Sequence, residues 1–444
     1  MWSDLTQRSC PYCGSESVGP IYCVRCGCVI PQAPRTQDYE KDVPVARVRP
    51  RGVLVGSKQS DYVGILGKSN DNYVEFDLSG NHWVLVVGDK GSGKSYTLGV
   101  ITEIASGVDR LSSPLRNAAI VIFDNRGDFL KLSEINDQTA DTEILSKEYG
   151  FSPNAVKHVR VSLVAPKPLV SKLNLTQQGY LDISVRPIDL TSEDWRVAFR
   201  IGESERPIYF TKFRAIVNRL REIKPDFSVH DLIQEVERQV SRGNLREVYS
   251  QAIQDRLFDL EESGIFDADA LELGGFLSPS TITVIDTRTC EPWVREILCT
   301  MTLRRLVEQI QTSIVKGAGS STTTLWVVLD EAHYLLPRMR QTPFARIFNE
   351  IARVGRHWSV SGLLATQVPD DVSELLVELC DIFVIHKLKS AKLIRSISDK
   401  IGIQLRQSEI ASLQTGEAIV VDSSTQRSLK VKIRPRITKH PSGQ

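Results

Sequence analysis

Residues 84–95 read Val-Leu-Val-Val-Gly-Asp-Lys-Gly-Ser-Gly-Lys-Ser, and no other stretch limits the possible folds of this chain so strongly. A β-branched apolar run passes directly into Gly88-x-x-x-x-Gly93-Lys94-Ser95, and a helix-like segment follows. A buried strand that turns through glycines into a helix is the opening of an α/β unit with a parallel sheet. The loop composition has a mechanical reason. Gly88, Gly91 and Gly93 let the backbone turn tightly, so the N–H groups across Asp89, Lys90 and Ser92 aim at phosphate oxygens. Lys94 supplies a point charge for the β- and γ-phosphates, and Ser95 offers its hydroxyl to Mg²⁺. The positive end of the following helix adds to the anion site. The stretch therefore predicts nucleotide binding with ATP and Mg²⁺ as cofactors.

A second apolar run, Leu-Trp-Val-Val-Leu at 325–329, has the composition of a strand covered on both faces. It ends in Asp330-Glu331-Ala332-His333. An acid at such a strand end holds the Mg²⁺ shell in P-loop enzymes, the role expected of Asp330. Glu331, one residue on, is placed to polarise an attacking water as general base. Hydrolysis, beyond binding, is the expectation.

Composition narrows the class. Of 444 residues, 41% are hydrophobic, enough for a large core with smaller additions. Lys and Arg number 55 against 54 Asp and Glu, so the formal charge is +1 and no global field draws the chain to a polyanion. Contacts with nucleic acid must come from local basic patches. The first residues, Met1-Trp2-Ser3-Asp4, carry no apolar signal core, and no apolar run approaches the roughly 20 residues that span a bilayer. A cytoplasmic protein without membrane contact is expected.

Five of the eight cysteines fall within the first 28 residues. Cys10-Pro-Tyr-Cys13-Gly and Cys23-Val-Arg-Cys26-Gly are two C-x-x-C knuckles nine residues apart, suited to holding Zn²⁺ tetrahedrally. Redox thiols are the other chemistry open to this spacing, and Cys28 is a spare that can stand in for Cys26. Cys290, Cys299 and Cys380 sit among apolar neighbours and read as core.

Punctuation along the chain divides it into a zinc ribbon at 1–30, a proline-rich charged linker at 31–51 and a short β element at 52–80. The α/β core follows at 81–129 and 278–425, interrupted by a largely helical insertion at 130–277. A basic strand closes the chain at 426–444. Thr191 followed by Asp194 reads as a helix start, and 229–240 and 245–260 as amphipathic helices. Strands are expected at 119–123, 281–285, 325–329, 362–365 and 382–385.

Taken in order, these segments resemble the HerA branch of the HerA/FtsK ATPases, RecA-like ring motors that act on DNA. Asp124-Asn125-Arg126-Gly127-Asp128 is similar to the family's D-x-x-G-E segment, with Asp128 where glutamate is usual. Asp330-Glu331-Ala332-His333 is similar to its D-E-A-H strand end. Arg353-Val-Gly-Arg356-His-Trp-Ser-Val360 and Gly362-Leu-Leu-Ala-Thr-Gln367-Val-Pro369 resemble its G-R-K-x-G-x-x-L-x-A-T-Q-R-P signature. Gly416-Glu-Ala-Ile-Val420 through Arg434-Pro-Arg436 resembles the G-E-A strand and C-terminal brace. Val368 stands where the family has arginine, Ser359 where it has glycine, and the N-terminal barrel is about half its usual size.

The resemblance implies a RecA-like P-loop ATPase in which Gln367 senses the γ-phosphate and orients water, and Arg356 reaches the phosphates. Arg353 is a weaker candidate. Arg338 and Arg340 either line a pore or lie on a solvated loop. Lys430, Lys432, Arg434 and Arg436 alternate along a strand and give it one basic face. The implied activity is that of a homohexameric translocase or helicase on double-stranded DNA, working with a nuclease of the NurA type or another effector. The alternative is a nucleotide-switched ring that recruits a partner through the zinc ribbon without processive movement.

Overall fold

The apolar runs become strands of one 13-stranded sheet. The computed structural model describes residues 52–60, 63–108, 118–151, 156, 159–224, 226–267, 276–278, 281–315 and 324–441, without the Arg356 side chain. The zinc ribbon cysteines Cys10, Cys13, Cys23 and Cys26, and the linker after them, lie outside the described residues.

The strands are β1 (Val53–Val55), β2 (Val63–Ser69), β3 (Asn72–Asp77), β4 (Trp83–Val87), β5 (Ala118–Asp124), β6 (Arg160–Pro166) and β7 (Tyr180–Ile183). Then come β8 (Thr281–Asp286), β9 (Thr324–Leu329), β10 (Val360–Thr366), β11 (Ile382–Ile385), β12 (Glu417–Asp422) and β13 (Arg427–Ile433). The spatial order is β1-β3-β2-β13-β12-β11-β4-β10-β9-β5-β8-β6-β7. From β11 to β7 every pairing is parallel. The pairings of β11 with β12, β12 with β13, β13 with β2, and β2 with β3 are antiparallel.

The central strands are buried along nearly their whole length and mostly apolar because both sheet faces are covered. Alternation along β4 sends Leu85 and Val87 into one core and Val84 and Val86 into the other. The second core packs α1 (Lys94–Ser106) through Leu98, Ile101 and Ile104. The opposite face carries α4 (Ser192–Ala198), α5 (Ile208–Ile223), α6 (Val229–Ser241), α7 (Glu247–Ser263), α8 (Pro292–Val315) and α9 (Pro343–Trp358). In chain order α2 (Thr139–Ile144) and α3 (Lys167–Leu173) precede these helices. The last helices are α10 (Glu374–Leu379), α11 (Ala391–Ile401) and α12 (Gln407–Ser412). Thr191 and Asp194 form a reciprocal capping box at the start of α4, as the sequence spacing predicts.

The largely helical insertion at 130–277 also holds β6 and β7, which extend the sheet in parallel, β6 on β8 and β7 on β6. The short β element at 52–80 is part of the same sheet. Its hairpin, turning at Asn70 with φ 52°, joins the main sheet through β13 at Lys68 and Gly67. The basic face expected of the last strand exists only in part. Lys430 and Lys432 are exposed, but Arg434 and Arg436 are fully buried against Glu103 of α1. Period-two alternation stops at Ile433, where β13 ends, so the two arginines follow a different path from the lysines.

At the strand ends opposite the P-loop, His82 lies 4% exposed between Asp381, at 2.7 Å, and Asp77, at 3.2 Å. Burial alone lowers an imidazolium pKa, but hydrogen bonds to the two carboxylates and their charges outweigh it and raise His82 to about 9. A pKa raised from 6.5 means stability that is fully present below pH 6.5 and lost as pH rises through 9. The shift corresponds to about 3 kcal/mol. Urea denaturation at pH 6 and pH 9.5 is expected to show this loss in the wild type and most of it abolished in His82→Gln. Equal pH slopes for the two proteins would rule out His82 and its two carboxylates as the source of the loss.

Candidate nucleotide site

The loop between β4 and α1 is held open by glycine. Gly91 and Gly93 adopt φ of 75° and 109°, in the left-handed region that disfavours side chains. A Cβ on Gly88 would run into Ser92 Oγ and the Cβ of His386. The loop is also tied from outside. Asp89 N–H donates to Lys387 O at 2.8 Å, and Asp89 Oδ2 accepts from Lys389 N at 3.1 Å. Beneath it, His386 Nδ1 donates to Glu417 O at 2.9 Å, since a carbonyl only accepts, so Nε2 is left to accept from Thr97 Oγ1 at 2.9 Å. Burial holds this ring neutral by lowering its pKa to about 4.

Sheet order brings the other candidates to the same end. β10 and β9 follow β4, so their C-terminal ends stand beside the loop. Ser95 Oγ donates to Asp330 Oδ2 at 3.0 Å. Lys94 is 5% exposed and donates to Asp89 O at 3.1 Å. Burial lowers its pKa against the pull of Glu331 and Asp330, and the nearby Arg126 lowers it further. Asp330 is buried, and burial together with the charges of Asp128 and Glu331 lifts its carboxyl far above the ordinary range. A serine hydroxyl on a buried, under-compensated carboxylate is a hard oxygen pair that fits Mg²⁺. Ser95 opens on a cavity of about 1350 Å³ that also takes in Gly91, Gly93, Lys94 and Tyr96.

Glu331 adopts φ 52° and is 3% exposed. Its Oε1 accepts from Gln367 Nε2 and from Arg126 Nη1, the latter at 2.8 Å. Thus Lys94, Ser95, Asp330, Glu331 and Gln367 meet at one place. Arg356 lies on α9, two residues before that helix ends. Arg353, on the same helix, is exposed. Arg338 pairs with Glu374 and Arg340 with Glu296.

Sequence reasoning passed over Arg126, His386 and Glu103. Arg126 sits within the segment quoted as similar to D-x-x-G-E, but at an unspecified position. Asp124 fixes that loop by accepting N–H bonds from Arg126, Gly127 and Phe129. A histidine after an apolar strand and a glutamate inside a helix carry no local signal of what they touch.

Residues 63–306, more than half of the chain, match the family described as Helicase HerA, central domain. The chain belongs to this family. As a HerA-family protein with a P-loop, it is an ATPase. It is 22% identical over 394 residues to the Probable helicase MJECL08 of Methanocaldococcus jannaschii, covering 85% of this chain and 71% of that protein. It is 21% identical over 270 residues to the DNA double-strand break repair helicase HerA of Sulfurisphaera tokodaii, covering 57% of this chain and 54% of that protein. This HerA-family chain therefore spans about half the length of the repair helicase. Its fold is similar to VirB4 of Thermoanaerobacter pseudethanolicus, with a TM-score of 0.56, 13% identity, and coverage of 86% of this chain and 98% of that one. No helix among the described residues is long and apolar enough to cross a membrane.

Proposed function

We propose that this protein is a cytoplasmic, homohexameric, ATP-driven translocase or helicase on double-stranded DNA that works with a nuclease of the NurA type or another effector. The observation that carries the catalytic part is the 3.0 Å hydrogen bond from Ser95 to Asp330, beside Lys94 and Glu331. It joins the phosphate loop to the acids of β9 at one point. When bound there, Mg²⁺ neutralises phosphate charge and polarises the transferred group. Ser95 and Asp330 would hold the ion. The N–H groups from Asp89 to Ser95 cradle the phosphates, and Lys94 places its ammonium on the β- and γ-oxygens. Glu331 takes a proton from the attacking water, Gln367 orients that water, and Arg356 balances charge on the transferred phosphoryl group.

The net charge of +1 leaves DNA binding to local basic groups. Exposed Lys430 and Lys432 remain candidates, whereas Arg434 and Arg436 are withdrawn by burial. Backbone contacts of this kind release counterions and read no sequence, so affinity falls steeply with salt and sequence preference is slight. For the N-terminus we propose one Zn²⁺ per chain on Cys10, Cys13, Cys23 and Cys26.

The test is ATP turnover with and without linear duplex DNA, with mass and zinc measured on the same preparation. Expected are a hexamer, a rate that rises with duplex and falls as salt weakens binding, and one zinc per chain. A monomer at micromolar protein with ATP, or a rate indifferent to DNA, would replace the motor with a nucleotide-switched scaffold. Freshly purified protein without zinc would remove the ribbon.

A further inference from the structure

Neither oxygen of Glu331 can take a water in this structure. Oε1 already accepts from Arg126 Nη1 at 2.8 Å and from Gln367 Nε2. Oε2 is shut off from solvent and accepts no hydrogen bond from the described residues, with His333 Nδ1 standing 3.6 Å away. A general base must offer a free lone pair within about 2.6–3.2 Å of the water it activates. The site therefore has its parts assembled and its base occupied.

The pair that occupies it is lopsided. The Glu331 side chain is 3% exposed and that of Arg126 is 40% exposed. The backbone of Arg126 is pinned, because Asp124 accepts its N–H and those of Gly127 and Phe129. The long side chain is what can move. Arg126 lines the same cavity as Lys94 and Ser95. A guanidinium binds phosphate as readily as carboxylate, and often with two hydrogen bonds. A triphosphate seated on Lys94 thus offers Arg126 a second anion.

Resting on the reading of Glu331 as the base, we propose that Arg126 is a lock on that base, a positioning residue that occupies Glu331 Oε1 until bound nucleotide draws its guanidinium away. When Arg126 turns to the phosphates, Oε1 keeps Gln367 and gains a place for water. Base release is then coupled to occupancy of the site. Asn125 ties the same loop to β9 by donating to Asp330 O at 3.3 Å, which keeps the arginine within reach of both anions.

The test is steady-state ATP hydrolysis without DNA by the full chain carrying Arg126→Ala, Arg126→Gln, Arg126→Lys, Glu331→Gln, or Arg126→Ala with Glu331→Gln. Losing one partly exposed ion pair is expected to raise kcat about fivefold in Arg126→Ala and Arg126→Gln, with KM unchanged. Arg126→Lys, which keeps the charge, should restore the low rate. The double variant should be as inactive as Glu331→Gln, because the gain runs through Glu331. A fall in kcat in both neutral variants would overturn the lock and make Arg126 a phosphate ligand needed for turnover. An unchanged kcat with Glu331→Gln inactive would overturn the lock and leave the base assignment standing. Normal turnover in Glu331→Gln would remove both.

Discussion

Glu331→Gln is expected to bind ATP as the wild type does and to lose roughly 10²–10⁴-fold in turnover, the usual contribution of a positioned base. The amide keeps the length of the side chain and can still meet Gln367 and Arg126. What it loses is the ability to take a proton. Lys94→Ala differs in kind, because it removes the cation that the buried loop places on the phosphates and so lowers binding itself. Fluorescent-nucleotide titration beside a phosphate-release assay separates the two variants. Glu331→Gln should titrate normally and release almost no phosphate, whereas Lys94→Ala should fail to titrate. A Glu331→Gln protein that turns over normally would move the base to another residue.

The second large effect is on stability. Glu103 of α1 is fully buried and accepts from Arg434 Nη1 at 2.7 Å, Ile437 N at 3.1 Å, and Thr438 N and Oγ1 at 2.8 and 2.7 Å. Arg436 lies at 3.9 Å, also fully buried. The cluster has no spare acceptor, since Arg434 Nη2 and Arg436 Nη1 already find no partner among the described residues. Removing the carboxylate strands two buried cations, and breaking such a cluster costs about 3–5 kcal/mol. Glu103→Ala should lower the unfolding free energy by that amount, read as a lower urea midpoint, with Glu103→Gln less severe because its amide oxygen still accepts. A loss under about 1 kcal/mol, the size of a surface pair, would mean that the cluster relaxes into water. Shape enforces the same contact. A Cβ on Gly99 would lie 2.5 Å from the Arg436 guanidinium. Arg436 N also donates to Tyr96 Oη at 2.8 Å, one residue after Ser95. The end of the chain is thus fastened to the helix that carries the phosphate loop.

One local departure from the family pattern has a structural cost. Ser359, where a glycine is usual, ends α9 with φ 54°. A side chain in that conformation is disfavoured by about 1–2 kcal/mol. Its neighbours hold it there, since Ser359 O accepts from Leu325 N at 2.9 Å and begins the pairing of β10 with β9.

The sequence by itself determined the parts whose information is local. A strand buried on both faces is mostly apolar, and a phosphate loop needs glycine where φ is positive. A helix start needs an oxygen to meet its free N–H groups. All three leave their mark within a dozen residues, so β4, the loop, β9 with its acids and the α4 cap were readable in advance. The tertiary structure alone decided the rest, because it depends on which ends meet. Arg126 and Glu331 are 205 residues apart, Glu103 and Arg434 331 apart, and Thr97 and His386 289 apart. The alternating positive charges 430, 432, 434 and 436 look alike in the chain. Only the packing of the last segment onto α1 separates two exposed lysines from two buried arginines, because Glu103, the carbonyls of Ile65 and Pro435 at Arg434 and the Thr438 hydroxyl at Arg436 compensate the second pair and water solvates the first.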